Sequence, residues 1–302
     1  MKNYKPEIML LLMTVIWGAT FMFTQIGLEY CSPFLYILLR FTLALFLSFL
    51  FFGKKVLKAN KTTIKHSSIL GVFFATGFIL QTNALLYTTV SKTAFITGLT
   101  VVVTPFIFIL IKKKLPSKWA LIGVLISFIG LFIFTKPDFN NINIGDILTL
   151  LSTFCWGLYI TYMDIFTKNH NTFEETIQVV AFQFVSAIPV ILIGFLIFDI
   201  GSLRFDFNTK LLISLLFNGV IASFILTLIH TTYQKHTTPV RAALIFSLEP
   251  VFASIFAMIF IKEFLNEREI FGATILLFGV LVSELGNYFV GYFRSMFGFR
   301  LK

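Results

Sequence analysis

The chain has 302 residues, of which 57% are apolar and only 13% are charged. A soluble globular domain carries roughly 45–50% apolar and about 25% charged residues, so this composition excludes an ordinary soluble domain and predicts an integral membrane protein embedded in a lipid bilayer. The net charge of +10 does not indicate nucleic acid as a partner, because the basic residues lie in short loops between apolar segments, where they report topology.

The sequence contains no recognisable motif of reactive chemistry. Its two cysteines, Cys31 and Cys155, form no CxxC pair, and no spacing typical of zinc ligands occurs. H-E-x-x-H, G-x-S-x-G and a phosphate-binding loop are also missing from the sequence. We therefore expect no metal, no cofactor and no catalytic residue, and we predict that the protein is not an enzyme.

Ten apolar segments follow one another along the chain, each close to the roughly 20 residues that a helix needs to cross a bilayer. A helix satisfies its backbone polar groups internally, so the predicted fold is an all-α membrane protein with ten transmembrane helices. The predicted spans are residues 8–28, 34–52, 67–88, 93–111, 118–135, 145–165, 176–198, 210–230, 240–261 and 270–290.

The basic residues are distributed unequally between the two sides of these spans. Seventeen of the 24 lysine and arginine residues lie at the two termini and in the even-numbered loops, six lie in the odd-numbered loops, and Arg40 lies inside a span. Because cytoplasmic loops carry the excess of positive charge, both termini are predicted to be cytoplasmic, in a bacterial inner (plasma) membrane.

Short patterns in the first five spans recur in the same order in the second five. The matching pairs are Trp17-Gly18 with Trp156-Gly157, Arg40-Phe41 with Gln183-Phe184, Phe78 with Phe224, Thr104-Pro105 with Glu249-Pro250, and Gly123 and Gly130 with Gly272 and Gly279. The offset drifts only from 139 to 149 residues, which indicates a duplication. Because five is an odd number, the second copy enters the membrane reversed, and we predict a 5+5 inverted-topology repeat with halves 1–139 and 140–302.

The Trp-Gly pairs, the segment 91–99 (SKTAFITGL) and the segment 242–252 (AALIFSLEPVF) resemble the EamA family of the drug/metabolite transporter superfamily. The resemblance covers residues 8–290 and implies a ten-span inverted-repeat permease, typically an exporter of amino acids or other small metabolites.

The two halves differ in one interval. Gly123 follows Pro105 by 18 residues, whereas Gly272 follows Pro250 by 22. The first half is therefore expected to lack one helical turn there. Lys112-Lys113-Lys114 stands where the second half has Lys262-Glu263.

Polar and aromatic side chains within the spans are the candidates for a substrate site at mid-depth between the halves. The predicted substrate-binding residues are Trp17, Gln81, Thr97, Trp156, Tyr159, Ser247 and Glu249, and the predicted gating or structural residues are Arg40, Pro105 and Pro250. Structural alternatives stay open: the tryptophans can serve helix packing, the small polar groups can join helices, and Arg40 can pair structurally or reach the membrane interface. His230 is expected at the interface.

Glu249 lies close to the middle of the ninth span and precedes Pro250, which cannot donate a helical hydrogen bond. A carboxylate beside an irregular helix can bind a substrate amine, or a proton in exchange for it, so proton coupling is one option. A structural cap or ion pair within the bundle is the other. Its partner in the alignment of the halves is Thr104.

These observations predict a secondary or facilitated transporter that exports a small metabolite, such as an amino acid, by alternating access. Import of a nucleoside- or nucleotide-like metabolite is the alternative within transport, since aromatic cavities suit planar bases as well as aromatic side chains. A membrane-embedded enzyme or sensor is the alternative from another class, although it would need a cluster of acids, bases or nucleophiles. The sequence does not identify the substrate, the direction of transport, the coupling ion or the oligomeric state.

Overall fold

The structure is a computed structural model, and it describes residues 4–135, 142–261 and 265–297. Within these ranges the chain is helical, and its only β-type pairing is an isolated bridge between Cys31 and Phe205. The helices are α1 (Lys5–Leu28), α2 (Pro33–Val56), α3 (Lys61–Ala84), α4 (Val90–Gly98), α5 (Thr100–Lys112), α6 (Lys118–Thr135), α7 (Ile144–Thr167), α8 (Phe173–Gly194), α9 (Thr209–Leu216), α10 (Leu226–Gln234), α11 (Pro239–Phe246), α12 (Glu249–Ile261) and α13 (Glu267–Phe297).

Nine helical segments in the described part of the chain are long and apolar enough to cross a membrane. They are Lys5–Leu28, Pro33–Val56, Lys61–Ala84, Lys92–Lys112, Lys118–Thr135, Ile144–Thr167, Phe173–Ser202, Thr209–Gln234 and Pro239–Phe256. They correspond to the first nine predicted spans. The tenth predicted span, 270–290, lies within α13. Large apolar side chains such as Leu110, which is 77% exposed, cover the outer surface, as lipid-facing positions do.

Capping side chains mark where several helices begin. Asn60, Thr89, Asn143, Thr172 and Thr238 each accept a hydrogen bond from the backbone N–H three residues later, which satisfies a donor that the helix itself leaves free. The capping residues therefore determine locally where these helices begin, and the apolar residues that follow allow the helices to cross the bilayer.

The fourth and ninth spans are each interrupted in the middle. In the fourth, the Leu99 N–H bonds the Ile96 carbonyl, and in the ninth the Leu248 N–H bonds the Ile245 carbonyl. These bonds reach back three residues instead of four, so the helix tightens and changes course at each point. A further irregularity lies in the eighth span, where residues 217–225 form π-helical turns between α9 and α10.

The two interrupted spans have the same spacing between the helix cap and the interruption. From the cap at Thr89 to the tight turn at Leu99 is ten residues, and from the cap at Thr238 to Leu248 is also ten. Each cap likewise precedes its glycine, Gly123 in one half and Gly272 in the other, by 34 residues.

The expectation that the first half lacks a helical turn after its proline is therefore wrong. Pro105 follows the Thr89 cap by 16 residues and Pro250 follows the Thr238 cap by 12, so the proline is displaced by about one turn within spans of equal length. The compared segment Lys262-Glu263 lies outside the described residues, as does the predicted boundary between the halves at 139/140.

Helices from one half pack mainly against helices from the other. α6 runs along α13, α3 packs against α7 and α8, and α2 packs against α8 and the π-helical segment. α1 contacts α10 and α12, while α7 contacts α3 and α5.

Glycines make the α6–α13 contact close. A Cβ atom on Gly130 would lie 2.4 Å from the Leu276 backbone nitrogen, and one on Gly279 would lie 2.6 Å from the Ser127 backbone nitrogen. Small residues let membrane helices approach to backbone contact. The glycines that match in the sequence therefore share one interface.

Candidate functional site

A cavity lies within the helix bundle and is lined by residues from both halves of the chain. Its lining comes from α1 to α5, α7, the π-helical segment and α10 to α12, and comprises Trp17, Thr20, Arg40, Phe74, Phe78, Gln81, Thr97, Thr100, Trp156, Tyr159, Ile160, Ala222, Thr227, His230, Phe246 and Glu249. Most of the wall is aromatic or apolar, and the charged side chains on it are Arg40 and Glu249.

Six of the seven predicted substrate-binding residues line this cavity; they are Trp17, Gln81, Thr97, Trp156, Tyr159 and Glu249. Ser247 does not. Its side chain is 1% exposed, and its hydroxyl donates a hydrogen bond of 2.7 Å to the Leu244 carbonyl within the interrupted helix. Ser247 is therefore part of the turn that precedes Glu249, and it is not among the residues that line the cavity.

Residues at the same positions relative to the two helix interruptions line the cavity. Thr100 is the first residue of α5 and Glu249 is the first residue of α12, and both line the cavity. The residues three positions earlier, Thr97 and Phe246, also line it. Measured from the caps, Glu249 thus corresponds to Thr100, whereas the alignment through the prolines paired it with Thr104.

Neither proline lines the cavity. Pro250 is the second residue of α12, where a helix tolerates proline, and it directly follows the interruption. Pro105 lies inside α5, six residues beyond the interruption at Leu99. The expected pair of equivalent proline kinks is therefore not present: the turn at Leu99 forms without a proline.

Glu249 faces the cavity without a protein partner. None of the described residues donates a hydrogen bond to its carboxylate or forms an ion pair with it. The structural alternative, in which Glu249 caps or pairs inside the bundle, thus has no support from the described contacts. A carboxylate in such a place is available to a ligand or to a proton.

Arg40 reaches the same cavity from α2. It is 3% exposed, its Nε donates a hydrogen bond of 2.6 Å to the Ser223 hydroxyl, and its guanidinium carbon lies 4.4 Å from the centre of the Phe78 ring. The idea that it extends to the membrane interface is wrong. Among the described residues no carboxylate pairs with it, so its terminal nitrogens remain available on the cavity wall.

Two hydrogen bonds hold polar side chains of the wall in place. Gln81 Nε2 donates to the Thr97 hydroxyl at 2.9 Å, and the Tyr159 hydroxyl donates to Gln183 Oε1 at 3.1 Å. Both bonds join different helices, so they combine the two roles, interhelical contact and cavity lining, that the sequence left open for these residues.

The two tryptophans occupy different parts of the aromatic wall. Trp17 meets Phe246 edge-on at 5.3 Å between ring centres, and Trp156 meets Phe78 edge-on at 4.9 Å. Such contacts stabilise aromatic pairs, so each tryptophan packs against helices as well as lining the cavity. The Trp156 indole N–H has no hydrogen-bond partner among the described residues.

His230 is the main residue that the sequence reasoning misplaced. Expected at the interface, it is 1% exposed and lines the cavity. Other lining residues were not singled out; they are Thr20, Phe74, Phe78, Thr100, Ile160, Ala222, Thr227 and Phe246. The repeat contained a signal for some of them, since Thr20 precedes Tyr159 by the offset of 139 that relates the two tryptophans.

The arrangement can bind and orient a small molecule. In the part of the chain that the structure describes, no group of three or more His, Cys, Asp or Glu side chains could hold a metal ion. A basic and an acidic side chain on a largely aromatic and apolar wall are instead features of a binding site for a polar, partly apolar ligand.

Comparison with known proteins consistently finds transporters. The family model of the EamA-like transporter family matches residues 5–136 and 143–285. An uncharacterized transporter of Archaeoglobus fulgidus is 31% identical over 286 residues, which cover 94% of this chain and 87% of that protein. The uncharacterized transporter YoaV of Bacillus subtilis is 22% identical over 280 residues, covering 89% and 93% of the two chains.

A solved crystal structure shares the fold. It superimposes with a TM-score of 0.74 at 14% identity and covers 94% of this chain and 98% of its own.

Proposed function

The chain belongs to the EamA-like transporter family, as its sequence motifs indicated, and we propose that this membrane transporter carries a zwitterionic, amphipathic molecule, foremost an amino acid with an aromatic side chain. The observation that carries the proposal is the pair Arg40 and Glu249, two oppositely charged side chains that line one cavity and do not neutralise each other. An ionisable side chain that is buried without a partner is costly to keep charged, and a zwitterionic ligand supplies a partner for each.

Each charged group suits one end of an amino acid. The Arg40 guanidinium can hold a carboxylate through its terminal nitrogens, while Nε stays fixed on Ser223. The Glu249 carboxylate can accept hydrogen bonds from an ammonium group. The aromatic rings of the same cavity, including Trp17, Trp156 and Phe246, offer apolar surface to the side chain.

The nucleoside alternative fits these charges less well. A nucleoside carries no charge to neutralise either group, and a nucleotide would bring its phosphate near a carboxylate. An enzyme or sensor is also less well supported, since the relatives with curated names are transporters. Transport of an amino acid is therefore better supported than either alternative.

The architecture that we propose is the ten-span inverted repeat, with halves 1–139 and 140–302 and with α13 as the tenth span. Its support is that contacts made by helices of the first half recur between the corresponding helices of the second. α1 packs against α12 as α7 packs against α5, and α2 packs against the π-helical segment as α8 packs against α3. Such a pair of halves suits alternating access around a central site. We further propose cytoplasmic termini, the bacterial plasma membrane, export, and coupling to protons at Glu249.

A set of three related ligands tests the charge assignment. L-phenylalanine carries both charges, L-phenylalaninamide lacks the carboxylate, and 3-phenylpropionate lacks the ammonium group. Purified wild-type protein should bind L-phenylalanine about tenfold to a hundredfold more tightly than either analogue, because each analogue leaves one buried charge unpaired. Isothermal calorimetry in detergent gives the three affinities.

Two variants separate the roles. Arg40→Gln should remove the discrimination against the amide and keep that against 3-phenylpropionate, and Glu249→Gln should do the reverse. Glu267→Gln, at an exposed position, is the matched control and should change neither. Equal binding of all three ligands by the wild type, or uridine binding more tightly than every amino acid tried, would overturn the proposal.

A further inference from the structure

His230 lies at the end of a chain of three polar groups. The Gln234 side-chain nitrogen Nε2 donates a hydrogen bond of 2.6 Å to the Ile160 carbonyl. The other end of the same amide, Oε1, bonds Nε2 of His230. The second ring nitrogen of His230, Nδ1, has no hydrogen-bond partner among the described residues, although the residue is 1% exposed and lines the cavity.

This chain fixes which nitrogen of His230 carries the proton. The Ile160 carbonyl can only accept, so the Gln234 amide must turn its NH2 group toward it. Its carbonyl oxygen then faces His230 and can also only accept, so the proton of the neutral imidazole sits on Nε2. Nδ1 is left with a lone pair and becomes a hydrogen-bond acceptor that the protein does not use.

The surroundings of this acceptor are aromatic. The His230 ring lies 5.5 Å from Trp17, 5.2 Å from Phe246 and 5.6 Å from Tyr159, measured between ring centres. The Tyr159 hydroxyl is already bonded to Gln183. This part of the wall therefore combines apolar ring surface with one buried polar atom that has no partner among the described residues.

We propose that Nδ1 of His230 accepts a hydrogen bond from a single N–H or O–H donor on the apolar end of the substrate, and that Gln234 is the positioning residue that keeps Nδ1 unprotonated. A buried acceptor without a partner is unfavourable, and a phenyl ring could fill the same place without that cost. The inference rests on the proposed function. It adds that indole and phenol side chains are preferred to phenyl.

Two ligand pairs that differ in this donor test the proposal. L-tyrosine differs from L-phenylalanine by the phenol hydroxyl, and L-tryptophan differs from 1-methyl-L-tryptophan by the indole N–H. The wild type should bind the donor-bearing member of each pair about tenfold more tightly, the effect of one buried hydrogen bond. The ratio of the two affinities is the readout, because a general loss of packing lowers both affinities together.

Variants of His230 separate its two nitrogens. His230→Phe should bring both ratios to about one while L-phenylalanine still binds. His230→Asn places an amide near the former Nδ1 and should keep part of the preference, whereas His230→Gln reaches past that position and should lose it. His236→Phe, at an exposed position six residues away, is the matched control and should keep the full ratio.

Gln234→Leu tests the positioning role. It should lower the ratio by more than it lowers the affinity for L-phenylalanine, because the orientation of the acceptor is lost while the aromatic wall stays in place. In 15N NMR spectra of the protein labelled at histidine, the His230 signals should show Nε2 protonated in the wild type and a mixture of tautomers in this variant.

The outcomes divide cleanly. Ratios near one in the wild type, or ratios that survive in His230→Phe, overturn the role of His230 while leaving amino-acid binding intact. If none of the four ligands binds, the proposed function fails and this assignment fails with it. A thermal melt of each variant identifies any that does not fold, and the Asn and Gln variants then decide between the two nitrogens.

Discussion

The Nζ atom of Lys92 lies 3.3 Å from Oδ2 of Asp146 and joins the beginning of the fourth span to the beginning of the sixth. Asp146 also accepts a hydrogen bond of 2.6 Å from the Thr88 hydroxyl and one of 3.1 Å from the Asn143 backbone N–H, with which it completes the capping box of α7. One carboxylate thus ties two chain segments, 88–92 and 143–146, together at this end of the bundle.

The partners of this ion pair should contribute unequally to stability. Lys92→Met removes a lysine side chain that is 27% exposed, so it should cost about 0–1 kcal/mol of unfolding free energy. Asp146→Ala also removes the bonds to Thr88 and Asn143 and should cost about 1–3 kcal/mol. Thermal melts in detergent rank the two, and a double-mutant cycle isolates the pair. A coupling energy near 4 kcal/mol would contradict the partly exposed geometry.

The glycines of the α6–α13 interface should not tolerate a methyl group. In Gly130→Ala the new Cβ would lie 2.4 Å from the Leu276 nitrogen and 2.8 Å from the Gly272 carbonyl oxygen, so the helices must separate. We expect a loss of about 1–3 kcal/mol. Gly201→Ala is the control, since nothing lies within 4 Å of its Cβ position, and should change stability by no more than about 0.5 kcal/mol. An unchanged melting temperature for Gly130→Ala would refute the close packing.

The apolar spans could be predicted from sequence because the bilayer demands a long apolar helix wherever the chain crosses it. The matching glycines were visible for a similar reason, since close packing of α6 against α13 requires small residues on both helices. The prediction of where the helices are interrupted was wrong. The fourth span tightens at Leu99, where no proline marks it, and Pro105 drew attention to the wrong turn.

His230 shows why the depth of a side chain was harder to predict. The interface was expected because His230 is the last residue of the predicted span 210–230, but the helical segment continues to Gln234 and His230 lines the cavity. The π-helical turns over residues 217–225 also contain more residues per turn than an α-helix, so they shift the face on which every later residue of the eighth span lies. The charged residues were easier, because Glu249 and Arg40 stand out as isolated charges in apolar segments whatever face they occupy.

The proposed topology predicts which side of the membrane labels introduced cysteines. Gly201→Cys, in an exposed position after the seventh span, should react with a membrane-impermeant maleimide added outside intact cells, and Lys58→Cys should react only after the membrane is opened. The native Cys31 should stay silent, because it is fully buried and burial, together with the charge of Asp199, raises the pKa of its thiol to about 12, which leaves little reactive thiolate. The background carries Cys155→Ala. The reverse pattern of labelling would invert the proposed orientation.

Proton coupling is predicted at Glu249, whose carboxylate has no partner among the described residues of the cavity. If a proton and the substrate ammonium group use the same carboxylate, protonation removes the attraction for the ammonium group. The apparent affinity for L-phenylalanine should then weaken as the pH falls from about 8 to about 5, the range in which a general acid or base at such a site acts. Glu249→Gln cannot exchange a proton there, so it should bind weakly and equally at every pH. Glu267→Gln, on the exposed first turn of α13, should keep the wild-type profile.

Uptake of labelled L-phenylalanine into proteoliposomes, with and without an imposed pH gradient, extends the test from binding to transport. Gradient-driven uptake by Glu249→Gln at the wild-type rate and normal reconstitution would exclude this residue as the coupling site.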